Sequence, residues 1–228
     1  MLRRVRALVA LFAAALLALP AAAGAQAPRT RIVGGTQAAQ GEYPAQAFVE
    51  SSIGSCGGTL VTPTKVLTAA HCVFGEESTP GDFALCVGRA DLNDCSGIDI
   101  YGVGSVDRNS SYNAVTGQND VALLTLDRTA PFTPLQLVDP AHPELWAPGV
   151  GARIVGWGST SEGGSTSDQL RQADVPMVSD QACASDYSQA HSGTEQFDPA
   201  TMVCAGDGVH DTCQGDSGGP LMVADWRA

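Results

Sequence analysis

Residues 215–220 read Gly-Asp-Ser-Gly-Gly-Pro, and a serine held between glycines in this way is typical of an activated nucleophile. The pattern fits two unrelated designs, an elbow between a strand and a helix or a loop that joins β-strands. One such motif alone is weak evidence. The order of the other polar residues along the chain therefore has to choose between the two designs.

The positions of the histidines exclude the elbow. That design needs a histidine downstream of the serine, but the chain has none after Ser217. An order that begins with aspartate is excluded too, because the first aspartate of the chain, Asp82, follows His71. The order that remains is His71, an aspartate and then Ser217, which is the order of the chymotrypsin-like β-barrel enzymes. We assign no role to His142, His191 and His210, which stand in loop-like segments.

Four further motifs precede the serine motif: Ile32-Val33-Gly34-Gly35, Thr68-Ala69-Ala70-His71-Cys72, Asn119-Asp120-Val121-Ala122-Leu123-Leu124 and Gly156-Trp157-Gly158. With these five motifs in one order, the chain resembles the trypsin family of serine proteases from Ile32 to about Leu221. The resemblance implies an all-β fold of two six-stranded antiparallel β-barrels. It also implies an endopeptidase that is made as a zymogen.

The composition agrees with an all-β fold. Short β-rich runs recur between turn signals, among them Ala45–Val49, Thr59–Val61, Lys65–Thr68, Val121–Leu126 and Ala152–Val155. A polar, proline-rich stretch from about Leu137 to Gly149 is the natural connection between two barrels. We therefore expect an N-terminal barrel over residues 32–137 and a C-terminal barrel over 138–228. The second barrel is expected to be incomplete, since the family has further strands after the serine motif and this chain ends at Ala228.

The N-terminus predicts secretion. Three arginines precede an apolar run from Ala7 to Leu19, and Ala23-Gly24-Ala25 supplies a small-residue cleavage site. Together they predict a signal peptide over residues 1–25, followed by an activation propeptide over 26–31. The alternative is a membrane anchor, but the run falls short of the roughly 20 residues that span a bilayer and is broken by Pro20.

The chain is acidic, with a formal net charge of −12. Removal of residues 1–31 takes away five arginines and no acid, which makes the charge −17. Such a surface repels nucleic acid and anionic membranes, so we expect neither as a partner after signal removal. It either favours basic substrates or simply keeps the protein soluble. We expect a monomer without a cofactor or a metal.

Seven cysteines in a secreted chain indicate disulfides and leave one over. The resemblance implies two pairs, and two further cysteines that lack a family counterpart are expected to close a local loop: Cys56–Cys72, Cys183–Cys204 and Cys86–Cys95. Cys213 remains, and the family partner of such a cysteine lies downstream of the nucleophile. Metal binding is the competing interpretation, but no CxxC pair or His/Cys spacing supports it.

The resemblance gives the site residues their roles. Ser217 is the nucleophile, His71 takes and returns its proton, and Asp120 orients the imidazole. For Asp120 the alternative is a capping aspartate in a turn, but the apolar run that follows it favours the catalytic role. The backbone N–H groups of Gly215 and Ser217 match the family's oxyanion hole.

Substrate choice and activation have residues of their own. Asp211 matches the base of the family's specificity pocket, where a carboxylate selects Arg or Lys; the alternative is an aspartate in a surface loop. Cleavage after Arg31 would free the amine of Ile32, which in the family pairs with the aspartate before the nucleophile, here Asp216.

Two function classes follow. One is a secreted trypsin-like endopeptidase that acts on protein or peptide substrates and has protein protease inhibitors as candidate partners. The other is a truncated, inactive homologue that acts as a binding protein or arises from a frameshifted or incomplete gene. Because part of the pocket wall is expected to be missing, we predict that this chain hydrolyses peptides poorly and that Cys213 is a free thiol or forms intermolecular disulfides.

Overall fold

The computed structural model describes residue 32 and residues 35–161, 163–190 and 197–223. The predicted signal peptide and propeptide lie outside the described residues. Within them the chain forms eleven strands and one α-helix: β1 Thr36–Gln37, β2 Gln46–Ser51, β3 Gly54–Thr62, β4 Lys65–Thr68, β5 Ala84–Val87, β6 Ile100–Arg108, β7 Ala122–Leu126, β8 Gly151–Gly156, β9 Arg171–Val178, α1 Asp180–Ala190, β10 Cys204–Ala205 and β11 Leu221–Val223.

Strands β2 to β7 close into an antiparallel barrel in the order β2-β3-β4-β7-β6-β5. The side chains of β7 alternate, so that Ala122, Leu124 and Leu126 are buried while the residues between them are partly exposed. Such alternation places one face of each strand inside the barrel. The interior is filled by small and branched apolar side chains, including Leu60, Val66, Leu85 and Val87 of other barrel strands.

The second half is built on a five-stranded antiparallel sheet of described residues, in the order β1-β9-β8-β11 with β10 paired to β9. Its buried face carries Ala173, Val175 and Met177 of β9, packed with Ile32 and Ile154. Strand β1 precedes the barrel in sequence yet pairs with β9 of this second sheet. The first described residues therefore belong structurally to the second half.

A third apolar cluster joins the two halves. The Trp157 ring is almost fully buried, meets Phe48 of the barrel edge-on at 5.8 Å, and packs with Tyr43 and Leu170. Beside it, Arg153 of β8 donates two hydrogen bonds to Asp174, at 2.7 and 2.8 Å, and one to the Tyr43 hydroxyl at 2.9 Å. The halves are thus fixed to each other by both apolar and polar contacts.

The expected all-β fold is confirmed, with one closed barrel and a second, partial sheet. The five β-rich runs of the sequence all fall on strands or their edges. The stretch that we predicted as the connection runs between β7 and β8 and contains only a short 3₁₀ helix, Pro143–Trp146. The three expected disulfides are all formed: Cys56–Cys72, Cys86–Cys95 and Cys183–Cys204.

Candidate active site

His71 lies in a turn three residues after the end of β4. The Cys56–Cys72 disulfide ties the residue after His71 to β3. The Thr68 hydroxyl, buried at the end of β4, donates to the carbonyl oxygen of Gly57 on β3 at 2.8 Å. The histidine therefore stands at the rim of the barrel on a segment that is fastened from both sides.

Asp120 lies just before β7, next to His71. Strands β4 and β7 pair with Thr68 opposite Ala122, so the end of one strand meets the beginning of the other. One carboxylate oxygen of Asp120 accepts the backbone N–H of His71 at 2.7 Å, and the other lies 2.6 Å from its ring Nδ1. Asn119 adopts a left-handed backbone (φ 58°), which asparagine tolerates better than most residues. The two contacts fix both the position and the orientation of the imidazole.

This pair shifts both pKa values toward the charged forms. The hydrogen bond to Asp120 raises the pKa of His71, and the charge of Asp120 adds to this effect, while burial opposes it. Burial acts to raise the pKa of Asp120, but the hydrogen bonds from the ring and backbone of His71 outweigh it and lower the value. Asp120 therefore stays ionised, and the imidazolium form of His71 is stabilised.

Ser217 comes from the second half, but its turn rests on the barrel. The carbonyl oxygen of Ser217 accepts the N–H of Gly57 at 2.7 Å. Gly218 has φ +82°, and a Cβ there would lie 2.6 Å from the Gly57 oxygen and 2.8 Å from the Ala69 nitrogen. Only glycine permits such a close approach with this backbone. The Ser217 turn therefore packs directly against Gly57 and Ala69 of the barrel, close to His71.

The His71 ring and Ser217 meet at the Cys56–Cys72 disulfide. The Sγ of Cys72 lies 3.6 Å from His71 Nε2 and 3.8 Å from the Ser217 carbonyl oxygen. Between these described residues, no hydrogen bond joins His71 Nε2 to the Ser217 hydroxyl. Catalytic hydrogen bonds are often long before substrate binds. The ring is anchored at Nδ1, and its Nε2 faces the Cys72 sulfur next to the Ser217 turn.

The carboxylate of Asp216 points away from Ser217 into the second half. It accepts the N–H of Gly158 at 2.7 Å and that of Cys213 at 3.0 Å. Burial raises the pKa of Asp216, and these two bonds oppose the rise. A Cβ on Gly156 would lie 3.0 Å from the Asp216 Cγ, and one on Gly158 would lie 2.7 Å from its Oδ1. The Gly-Trp-Gly motif thus makes room for this carboxylate, a role that we did not infer from the sequence.

Two backbone donors beside Ser217 are unpaired. Among the described residues, neither Gly215 N–H nor Ser217 N–H donates a hydrogen bond. Gly215 has φ +96°, a conformation that only glycine adopts readily. The turn therefore presents two free donors next to the serine.

Asp211 and Ser217 line one cavity of about 290 Å³. Its walls include Ile154, Val155 and Val175 of the second sheet. The Asp211 side chain is exposed. The cavity therefore combines apolar walls with the carboxylate of Asp211, which lies six residues before Ser217 in the sequence.

The other sequence-predicted residues lie apart from this group. The Ile32 side chain is fully buried in the second sheet's core, and no hydrogen bond or ion pair joins it to Asp216. Arg31 lies outside the described residues. His142 faces Glu144 at 2.8 Å on the surface. His210, to which we assigned nothing, lies 2.6 Å from Asp207.

Comparison with known proteins agrees with this geometry. The profile of the trypsin family matches residues 32–226. A trypsin from Saccharopolyspora erythraea is 39% identical over 196 residues, covering 84% of this chain and 82% of its own length. Trypsin-1 from Astacus astacus is 36% identical, covering 85% and 83%. The proclotting enzyme of Tachypleus tridentatus is 35% identical, covering 85% of this chain and 55% of its own length.

The chain belongs to the trypsin family. It is therefore a serine endopeptidase by class, a hydrolase whose family acts on proteins or peptides. The resemblance inferred from the five motifs is confirmed.

In the part of this trypsin-family chain that the structure describes, one cluster of candidate metal ligands brings together Cys56, His71 and Cys72. Its two sulfurs are joined in a disulfide and offer no thiolate. Cys213 is partly buried and stands outside the three disulfides.

No helix among the described residues combines the length and apolar character that a membrane span requires.

Proposed function

We propose that this chain is a secreted trypsin-like serine endopeptidase that cleaves peptide bonds after Arg or Lys, with His71, Asp120 and Ser217 as its catalytic residues. The observation that supports this most strongly is the pair of contacts between His71 and Asp120, at 2.7 and 2.6 Å, beside the seated turn of Ser217. These contacts leave Nε2 as the ring nitrogen that is available to the serine.

In the proposed reaction, Ser217 Oγ attacks the scissile carbonyl carbon while His71 Nε2 accepts the hydroxyl proton. Collapse of the tetrahedral intermediate breaks the C–N bond, and the same proton passes to the leaving amine. A water molecule then attacks the acyl carbon and gives its proton to Nε2. Collapse of this second intermediate breaks the bond between the acyl carbon and Ser217 Oγ, the Nε2 proton returns to Oγ, and the acid is released. Asp120 keeps the proton-bearing Nδ1 in place and stabilises the imidazolium.

The free N–H groups of Gly215 and Ser217 are the proposed oxyanion hole. Negative charge develops on the carbonyl oxygen as Ser217 attacks, and preorganised donors stabilise it without rearrangement. Removal of one such donor costs about 10²–10³ in kcat. Their unpaired state among the described residues supports this role.

Asp211 is the proposed specificity residue. A basic side chain that enters the cavity would lay its methylene groups along Ile154 and Val175 and bring its charge to the carboxylate. A charge-assisted hydrogen bond there favours Arg and Lys over uncharged side chains. The acidic balance of the chain adds a weak general attraction for basic substrates.

Activation is proposed to follow cleavage after Arg31, which would turn Ile32 into a free ammonium. Asp216 is buried, and among the described residues it has two N–H donors but no cation as a partner. An ammonium beside it would stabilise its ionised form and order the turn that carries Gly215. Secretion is supported by the composition of residues 1–25 and by the three disulfides.

The test uses the protein processed after Arg31, with its mass confirmed. We expect hydrolysis of an arginyl or lysyl amide, little hydrolysis of a leucyl amide, and loss of nearly all turnover in Ser217→Ala. Turnover that Ser217→Ala leaves unchanged would overturn the proposed mechanism. Tight binding of a basic peptide without any turnover would replace the proposal with the inactive homologue.

A further inference from the structure

In the segment that leads to Asp211, one carboxylate makes three contacts. One oxygen of Asp207 accepts the N–H groups of Val209, at 2.8 Å, and of His210, at 2.7 Å. Its other oxygen lies 2.6 Å from Nδ1 of the His210 ring. The next residue along the chain is Asp211.

Asp211 itself takes part in an isolated β-bridge, and the contacts of Asp207 fix the turn that precedes it. The N–H of Gly206 donates to the Pro176 oxygen on β9 at 2.9 Å, and the N–H of Cys213 donates to Asp216. Between these two anchors, the side-chain hydrogen bonds within the described residues are those of Asp207. Gly208 has φ +73°. Because glycine has no Cβ, the backbone here would have wide conformational freedom without the Asp207 contacts.

The carboxylate of Asp207 is ionised over the whole working range of pH. The His210 N–H, the His210 ring and the Val209 N–H together lower the pKa of Asp207 to about 2. The His210 side chain, which Asp207 holds, lines the same 290 Å³ cavity as Asp211 and Ser217. Asp207 is thus linked through His210 to the lining of that cavity.

We propose that Asp207 is a positioning residue for substrate selection: it locks the turn of residues 207–210 so that Asp211 is presented to the cavity beside Ser217. The inference rests on the proposed function, in which Asp211 recognises the basic side chain. It makes the selectivity of Asp211 depend on a carboxylate that does not itself touch the substrate. Loss of Asp207 would loosen binding of the basic side chain and leave the acylation chemistry of Ser217 intact.

Three variants separate the contacts. Asp207→Ala removes all of them. Asp207→Asn keeps an oxygen that can accept the two backbone N–H groups, but its contact to the His210 ring is no longer made by a charged group. It is therefore the conservative variant that should rescue the position of the turn. Asp139→Ala is the matched control, because Asp139 accepts the Ala141 N–H at 2.9 Å in an exposed turn of the connection between the halves.

The experiment measures steady-state kinetics on an arginyl amide and the burst of a small, uncharged reactive ester, using the protein processed after Arg31. Asp207→Ala is expected to raise KM for the amide by about 10- to 100-fold, the size of a small misplacement of a binding group, with an unchanged ester burst. Asp207→Asn should recover most of the amide KM, and Asp139→Ala should match the unmodified protein. Benzamidine, a planar cation, should inhibit Asp207→Ala more weakly by the same factor.

Two kinds of result overturn the inference alone. One is an unchanged amide KM in Asp207→Ala. The other is an equal loss of amide turnover and ester burst, which would mean that Asp207 supports the fold in general. An unmodified protein that shows no ester burst, or no preference for arginyl substrates that Asp211→Ser abolishes, would instead overturn the proposed function and the inference with it.

Discussion

His71 and Asp120 stand at paired strand ends of a closed barrel, whereas Ser217 and Asp211 lie in turns that leave a five-stranded sheet. The first pair is held by strand pairing, a disulfide and two mutual hydrogen bonds. Ser217 is held by the barrel itself, through Gly57 and the close approach of Gly218. The barrel therefore fixes the positions of His71 and Asp120 directly. It also positions Ser217, which the second half of the molecule contributes.

The largest expected effect comes from breaking the pair within the barrel. Asp120→Asn should lower kcat on the order of 10⁴-fold, because an amide neither holds the required tautomer of His71 nor stabilises the imidazolium. The exposed Asp107 of β6 gives the control, since Asp107→Asn leaves the site untouched. A loss of less than tenfold in Asp120→Asn would contradict the role of Asp120.

The same variant should change the pH profile. Because Asp120 raises the pKa of His71 and the base must be neutral, activity in the unmodified protein should rise above the ordinary histidine value near 6.5. In Asp120→Asn the acidic limb should move to lower pH. By linkage, the raised pKa of His71 contributes stability that is fully present below its unfolded value and is lost as the pH rises through the folded value. The lowered pKa of Asp120 contributes stability that is present above its unfolded value and is lost as the pH falls through the folded value. An acidic limb that stays in place would show that another group controls it.

The next prediction concerns the join between the halves. Trp157→Ala removes an almost fully buried ring and should lower the free energy of unfolding by about 3–5 kcal/mol. Trp146→Ala is the control, because Trp146 is only partly buried against the second sheet and should cost clearly less. Thermal unfolding measures both variants. Equal losses would show that the cluster around Trp157 does not hold the halves together.

A smaller effect is expected at Gly218, where the Ser217 turn of the second half packs against the barrel. Gly218→Ala should lower kcat/KM about 100-fold, since its Cβ would displace the Ser217 turn from Gly57 and Ala69. Gly149→Ala controls for backbone strain, because Gly149 has φ +87° but no atom within 4 Å of its Cβ position. It should cost only about 1–2 kcal/mol of stability and no activity. Equal activity in the two variants would show that the Ser217 turn is not seated by contact.

Much of the fold was predictable because its signals are local. The β-rich run Val121–Leu126 and the turn residues between the short runs predicted strands that the structure contains. The order of His71, Asp120 and Ser217 predicted which residues the fold brings near each other. The pairing of β1 with β9 was not predictable, since two residues carry too little pattern to specify a partner so far along the chain.

The less visible parts of the site depend on packing and backbone angles. The Gly156-Trp157-Gly158 motif was recognisable, but the space that its glycines make for Asp216 appears only when the turn and the sheet are placed together. The Asp207–His210 contact joins residues three apart in a loop. Spacing alone does not distinguish such a contact from two solvent-exposed side chains, so the sequence left His210 without a role.

The proposed function requires that the barrel and the second half contribute to one catalytic unit, and a double-mutant cycle on the processed protein tests this claim directly. We expect His71→Ala and Ser217→Ala each to abolish most of kcat for an arginyl amide, and the double variant to be no slower than the worse single one, since groups that act as a unit are not additive. Losses that multiply in the double variant would show two independent contributions and contradict the claim.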